Sequence, residues 1–487
     1  MRNFLYVSLL VLSLAGACFA GWERTYGGSS GDTGYCVRQT SDGGYIIVGY
    51  TQSFGVGEKD VYLIKIDSLG NTTWTRTYGG IYDDYCFSVA QTFDGGYIIA
   101  GWTKSFGIGI PDFANVYLLR LHSEGDTIWT RTYGGSLHDF ANSVAQTSDS
   151  GFVVAGGTIS FGWQSLYVIR LNSDGDTIWT RSYAEESKGN SIACLFDDEF
   201  IVTGFLYGSR YDVFIRRFNL DGDTLWTRTY GGSGDDRGHS VVQTSDSGFI
   251  IVGKTESFSI DSSIDAYIIK TNLFGETMWT RTYGGNDIDV GSSVAQTMDN
   301  GFVVVGYTCS FGSGEYNVWL LRLDSFGDTV WTRTYGGINN DYGYSVAQTF
   351  DGGYIMAGYT ESFGAGGGDI YLIKTDSLGN VDWVKEIPRK PQTLSMNISP
   401  NPFNAACEIS VVGAIHESPL QNAAQIEIFD LSGKCVGAGL VPAQHQGDHK
   451  GRPYIWTPDK SISSGVYLIR ATAQNGQAMT KRIVCLK

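Results

Sequence analysis

A tryptophan returns at positions 22, 74, 129, 179, 226, 279, 331 and 383, in steps of 52, 55, 50, 47, 53, 52 and 52 residues. The first seven sit in close copies of the stretch DTIWTRTYGGS that begins at Asp126, while Trp383 is followed by VKEIPR. Seven units fill the interval, and a period near 50 with strand-like content points to a propeller or a solenoid. Glycine is abundant, at 65 residues, and proline scarce, at 9, which fits strands joined by tight turns. The 42% hydrophobic and 14% aromatic content excludes a disordered chain.

Each unit reads as four strands. In the second, SVAQT and GYIIAGWT are joined by an Asp-Gly-Gly hairpin that calls for a positive φ, and VYLLRL and TIWTRTY by SEGD, whose Gly suits a left-handed position. The second and third strands are continuous apolar runs, Tyr45 to Val48 and Val61 to Ile64, so both of their faces must be covered. Antiparallel sheets acquire two covered faces when they stack against a neighbour on each side, as propeller blades do around an axis.

The expected fold class is therefore all-β: a seven-bladed β-propeller over residues 21–387 and, beyond it, a small Ig-like β-sandwich. In this reading Trp74, Trp129, Trp179, Trp226, Trp279, Trp331 and Trp383 are structural wedges between splayed neighbours, each burying roughly 150–250 Å². The tryptophan strand occurs once more than the others, so Trp383 is assigned to its own blade and Trp22–Tyr26 to a seam with the last one, latching the ring. The fourth unit is the most divergent, lacking the Gly-Gly and shortening a loop.

The ends carry different signals. Residues 1–20 have a basic start, an apolar stretch from Phe4 to Leu14 and small residues before Gly21, the pattern of a secretory signal peptide cut after Ala20. AGAC, ending at Cys18, offers lipidation as an alternative. No later apolar run reaches the 18 or so residues of a membrane span. Residues 388–396 read as a linker and 397–487 as the sandwich, with DLSGK a hairpin between IEIF and CVGAGL. Residues 21–387 hold 23 basic and 44 acidic side chains, near −21, which argues against nucleic acid and anionic lipid as partners. The seven cysteines after Cys18 have no CxxC spacing and are read mostly as small buried side chains.

The order TRTYGG, SVAQT, DGGYIIVGYT and DVYLIKIDSLGNTTW resembles the SBBP family of seven-bladed β-propeller repeats, over about residues 22–387. The resemblance implies a fold and no single activity. SPNPF, IEIFDLSGK, GVYLIR and KRIVCLK, in that order, resemble the Por secretion tail, the type A sorting domain of type IX secretion. That resemblance implies export by the signal, recognition by the type IX machinery, and a place outside a bacterium or on its surface.

Chemistry is harder to locate. An aspartate recurs near the entry to each first strand, at Asp32, Asp84, Asp139, Asp236, Asp289 and Asp341, with Ser187 in the fourth unit. These residues could ring a channel and hold a cationic ligand or a divalent cation such as calcium, the one cofactor the pattern admits. The structural alternative, that each accepts N–H groups of its own glycine-rich turn, is favoured because sixfold repetition is what a fold demands. His138 and His239 are expected in loops of one face, and Glu185, Glu186, Lys188, Arg210 and Tyr211 could line an asymmetric patch. No nucleophile triad or metal-spaced His cluster occurs. The leading expectation is an exported, noncatalytic module binding a glycan, protein or surface component. The alternative is a secreted polysaccharide hydrolase or lyase working with loop-face carboxylates.

Overall fold

The computed structural model describes residues 21–196, 198–259, 263–381, 395–399, 407–412, 425–430, 434–437, 441–442, 454–456, 462–472 and 478–485. The chain divides into two compact units, Met1–Lys385 and Glu386–Lys487. Both are built of strands and turns.

The repeat forms its sheets locally. In the first, strands Asp32–Gln39, Tyr45–Thr51, Asp60–Ile66 and Thr72–Tyr78 pair antiparallel in chain order. The first hairpin needs one left-handed residue, supplied by Gly43 at φ 82° and, in other copies, by Ser150 or Asn300 at φ 66° and 65°. Asp42 organises this turn, accepting from the Gly44 N–H at 3.0 Å and from the Thr40 hydroxyl at 2.5 Å, and its carboxylate pairs with Lys65 of the third strand at 2.8 Å. The same cation-to-turn pair recurs as Arg120–Asp94, Arg170–Asp149, Lys270–Asp246, Arg322–Asp299 and Lys374–Asp351, and as Arg217–Glu199 in the fourth unit. Each cation is buried beside an apolar strand, so its charge must be met by that turn.

One sheet departs from the expected four strands. A single 18-residue strand, Thr177–Cys194, forms the outer edge of the third unit and the inner edge of the fourth, merging them into seven strands. Elsewhere Tyr-Gly-Gly breaks the chain between sheets, with Gly79 at φ 155° and Gly134 at φ 136°. Here YAEES has no glycine to make that break, and the backbone stays extended.

The strand Trp22–Tyr26 completes the last sheet by pairing with Asp369–Thr375. Trp22 lies opposite Lys374 as Trp74 lies opposite Lys65. The edge assigned in sequence to the Trp383 strand is thus filled from the other end of the chain; Trp383 lies outside the described residues. The last sheet packs against the first. Val37, Tyr45 and Ile47 share a core with Ile355, Ala357, Ile370 and Leu372, and the Phe350 N–H donates to Gln39 Oε1 at 2.8 Å.

The recurring tryptophan joins each sheet to the next. Trp129 is 8% exposed and meets Phe152 of the following sheet edge-on at 6.2 Å. Trp22 meets Tyr45, and Trp74, Trp226, Trp279 and Trp331 meet Tyr97, Phe249, Phe302 and Tyr354 at 5.9–6.3 Å, while Trp179 stacks on Phe200. Beneath each indole lies the hairpin glycine of that next sheet. A Cβ on Gly175, at φ 81°, would sit 3.0 Å from Trp129, and the Tyr133 hydroxyl donates to the Gly175 carbonyl at 2.6 Å. The arginine between them stacks on the indole face, as Arg131 does on Trp129 at 5.8 Å. Trp, Arg and Tyr of the WTRTY motif therefore form one clasp.

In the tail, two four-stranded sheets form. Ser395–Ser399, Cys407–Val412, Tyr454–Trp456 and Val441–Pro442 make one; Cys435–Gly437, Gln425–Asp430, Gly465–Thr472 and Ala478–Cys485 make the other. The Asp430 N–H donates to the Lys434 carbonyl at 3.0 Å, closing the hairpin expected at DLSGK.

Two outcomes follow from these contacts. Trp129→Ala costs about 3 kcal/mol in a urea unfolding series, and Gly175→Ala is destabilising too because it has neither the φ nor the space. Burial would raise the Asp42 pKa, but hydrogen bonds from Lys65, Thr40 and Gly44 outweigh it and hold the carboxyl at about 2. Asp94, Asp149, Asp246, Asp299 and Asp351 shift the same way, whereas burial raises Asp84, Asp212 and Asp369. Depressed carboxylates stabilise above the ordinary 3.8 and lose that contribution as pH falls toward 2. Tryptophan fluorescence during acid titration is expected to report unfolding in that window, and Asp42→Asn to flatten it.

Candidate ligand-binding site

The six repeated aspartates are fully buried. Asp32 Oδ2 accepts from the Gly28 N–H at 2.8 Å and the Ser53 hydroxyl at 2.6 Å, and Oδ1 from the Thr51 hydroxyl. Asp139, Asp289 and Asp341 repeat all three bonds with Gly135, Ser160 and Thr158, with Gly285, Ser310 and Thr308, and with Gly337, Ser362 and Thr360. Asp84 and Asp236 accept from Gly80 with Ser105 and from Gly232 with Ser257. Each side chain is turned into its own inter-sheet crossing, and they do not converge. Among the described residues no three His, Cys, Asp or Glu side chains are placed to hold a metal ion together.

What does converge is a set of positions that vary from unit to unit. Every first strand carries a one-residue bulge, opposite a glycine of the second strand whose missing Cβ lets the strands close; on Gly49 a Cβ would fall 1.8 Å from the Thr33 carbonyl. A bulge re-aims the side chain it extrudes. The bulged residues are Tyr35, Phe87, Asn142, Asn190, His239, Ser292 and Tyr344. Two residues before each bulge lies a cross-strand pair: Thr33 with Tyr50, Tyr85 with Trp102, Phe140 with Gly157, Lys188 with Phe205, Arg237 with Lys254, Val290 with Tyr307, and Tyr342 with Tyr359.

Chemistry divides this set in two. The last, first and second sheets present aromatic rings: Tyr35 lies 5.3 Å from Tyr344 and 5.0 Å from Phe87, Tyr50 lies 4.8 Å from Tyr85, and Tyr85 stacks on Trp102 at 4.3 Å. Tyr35, Tyr50, Tyr342, Tyr344 and Tyr359, with Gln52, line a cavity of about 430 Å³. Burial, then neighbouring tyrosines, raises the pKa of Tyr35 and Tyr344, and Tyr342 rises to about 12 for the same reasons. These phenols stay protonated at neutral pH, each an apolar face with a hydroxyl at its tip. Lys59 lies 5.3 Å above the Tyr50 ring and donates to the Tyr85 hydroxyl.

The third, fourth and fifth sheets carry polar bulges. Asn142 donates to the Gly189 carbonyl at 2.7 Å and Asn190 to the Gly238 carbonyl at 2.8 Å. His239 Nδ1 lies 2.9 Å from the Gly291 carbonyl, so the ring holds its proton there. The two histidines expected in loops of one face are therefore differently placed. His239 is on a strand, and His138 accepts the Ala114 N–H at 3.1 Å while stacking on Phe140. Of the expected asymmetric patch, Glu185 is taken by Arg216 at 2.5 Å, whereas Lys188 and Tyr211 do approach the polar side, with Arg237 4.5 Å above the Tyr211 ring. The tyrosine set was missed because each ring reads as strand hydrophobicity. The available signal was the residue after the repeated glycine of the second strand, which runs Tyr50, Trp102, Gly157, Phe205, Lys254, Tyr307, Tyr359 while its neighbours stay alike.

Residues 397–485 match the family model Por_Secre_tail, described as a secretion system C-terminal sorting domain. The chain carries a sorting tail. The match marks it as an exported protein routed by type IX secretion to the cell surface or beyond. No curated protein matches the sequence. Similar solved structures include Sqt1 from Chaetomium thermophilum, at 10% identity and TM-score 0.44 over 70% of this chain and 83% of that one. A fungal alcohol oxidase of the AA5 family in complex with copper matches at 14% and 0.44, over 96% and 99%, and a protein of unknown function from Dyadobacter fermentans at 10% and 0.40, over 72% and 98%. Likenesses this weak carry no argument about fold or chemistry. No helix among the described residues is long and apolar enough to cross a membrane.

Burial lowers the His239 pKa to about 4 against an ordinary 6.5, ahead of the opposing bond to Gly291. A depressed histidine favours the folded state only while neutral, so stability falls as pH drops from 6.5 toward 4. His239→Asn, which reproduces the bond made by Asn142 and Asn190, is expected to remove that part of the loss in melts compared at pH 7 and 5.

Proposed function

We propose that residues 21–387 form a seven-bladed β-propeller of the SBBP repeat type that acts outside a bacterium as a binding module for carbohydrate. Residues 1–20 serve as its signal peptide, 388–396 as a linker, and 397–487 as an Ig-like domain read by the type IX machinery. The packing of the last sheet on the first, with Trp22–Tyr26 as the closing edge, supports a closed ring. The observation that carries the binding reading is the cavity of about 430 Å³ lined by five half-buried tyrosines. Flat apolar faces with hydroxyl tips suit sugar rings, which present an apolar face edged by hydroxyls.

A hydrolase or lyase would need accessible carboxylates, and the six repeated aspartates are already committed to backbone and hydroxyl donors. They are better read as fold elements than as ligands for a cation.

The test is a binding screen of the mature full chain against immobilised oligosaccharides and peptides, with turnover followed on the same ligands. Binding without turnover is expected. Tyr344→Ala should weaken it about tenfold, about 1.4 kcal/mol, with affinities compared well below the melting temperature of the variant because the lost ring also packs on Tyr35. Glycan turnover would establish the enzyme reading instead. Deleting 397–487 is expected to trap the protein inside the outer membrane, measured by fractionation.

A further inference from the structure

Three cations gather on the polar side of the same set of positions, in a unit whose net charge is near −21. Arg237 and Lys254 are cross-strand partners in the fifth sheet, so their side chains leave one face together. Lys188, from the fourth sheet, lies 5.9 Å above the Phe140 ring, and Arg237 lies 5.0 and 4.5 Å above Phe205 and Tyr211. Three positive charges at one place repel one another. Burial, and then Arg237, lowers the pKa of both Lys188 and Lys254. The acids nearby offset these charges only in part. Asp235 pairs with Arg237 at 3.9 Å, Glu256 and Asp235 both favour the charged form of Lys254 without overcoming burial and Arg237, and Arg237 Nε is buried without a hydrogen-bond partner.

The equivalent positions elsewhere show that the fold does not need this charge. Thr33 with Tyr50, Val290 with Tyr307 and Tyr342 with Tyr359 fill the same register with neutral side chains. A cluster that costs stability, lacks a structural counterpart and retains donor capacity is what an anion subsite requires.

We infer that Lys188, Arg237 and Lys254 form an anion subsite, so that the ligand is an oligosaccharide bearing an isolated acidic group, a uronate carboxylate or a sulfate ester. The inference rests on the carbohydrate reading above. An isolated acid is favoured over a polyanion because the surrounding acidic surface repels extended negative charge over roughly a Debye length, whereas one acidic sugar meets the three cations at contact range.

The experiment titrates the mature full chain with neutral oligosaccharides, with the same backbones carrying one uronic acid, with the same backbones carrying one sulfate, and with acidic peptides, by calorimetry. The expected result is preference for one or both acidic glycan sets over the neutral set. That preference should fall about tenfold in Arg237→Gln and again in Lys254→Gln, as for loss of a charge-assisted hydrogen bond. Tyr344→Ala should weaken neutral and acidic glycans alike. The arm that binds better separates carboxylate from sulfate. Equal affinity for neutral and acidic glycans, unchanged in both variants, would overturn the anion subsite and leave the carbohydrate reading standing. Binding of no glycan would overturn both, and binding of acidic peptides alone would assign the cluster to a protein partner. Because these cations repel, both variants are expected to melt no lower than the parent, and a melting control separates lost affinity from lost folding.

Discussion

The clasp between one sheet's outer strand and the next sheet's hairpin is the contact on which the repeat depends. A four-stranded antiparallel sheet with two apolar faces has no stable existence alone, and something must fix the distance and angle at which the next sheet covers it. Here the Trp129 indole closes over Gly175 while Tyr133 holds the carbonyl of that same glycine. Distance is set because no side chain intervenes at the glycine, and angle because the indole and the phenol reach it from two positions of one strand. The geometry recurs from Trp22 with Gly70 and Tyr26 to Trp331 with Gly379 and Tyr335.

The same device joins the two ends of the repeat region. Trp22, at its start, occupies the outer edge of the last sheet and reaches Tyr45 and the Gly70 hairpin in the first. An N-terminal strand thus closes a sheet whose other three members come from the C-terminal end of the region. The ion pairs between turn acids and buried cations work inside each sheet, holding the first hairpin against the third strand. Cohesion within and between sheets therefore has separate chemical origins, the first sensitive to acid and the second to loss of aromatic bulk.

With those duties assigned to repeated residues, the bulge and the cross-strand pair before it are free to vary. The glycine opposite each bulge is repeated in every unit, whereas the bulged side chain and the pair before it differ from one unit to the next. That freedom allows one side to hold tyrosines around a cavity and the other to hold Lys188, Arg237 and Lys254. The proposed ligand is read from this contrast rather than from any repeated feature.

The sequence by itself determined the period, the four strands of a unit and the hairpin types, because each depends on neighbours within about 50 residues, and the sorting tail through four ordered motifs within residues 397–487. It also indicated that Asp32 and its copies serve their own turns, since short-range bonds from a side chain to its adjacent backbone follow from spacing. Only the tertiary structure decided that Trp22–Tyr26 pairs with Asp369–Thr375 of the last sheet, because that pairing spans more than 300 residues. It alone decided that the third and fourth units share one strand, since a missing glycine signals a lost turn without saying where the extended chain goes. And it alone gathered Tyr35 with Tyr344 and Lys188 with Arg237, residues on different sheets, because a bulge's direction is a property of strand register and not of the residue that occupies it.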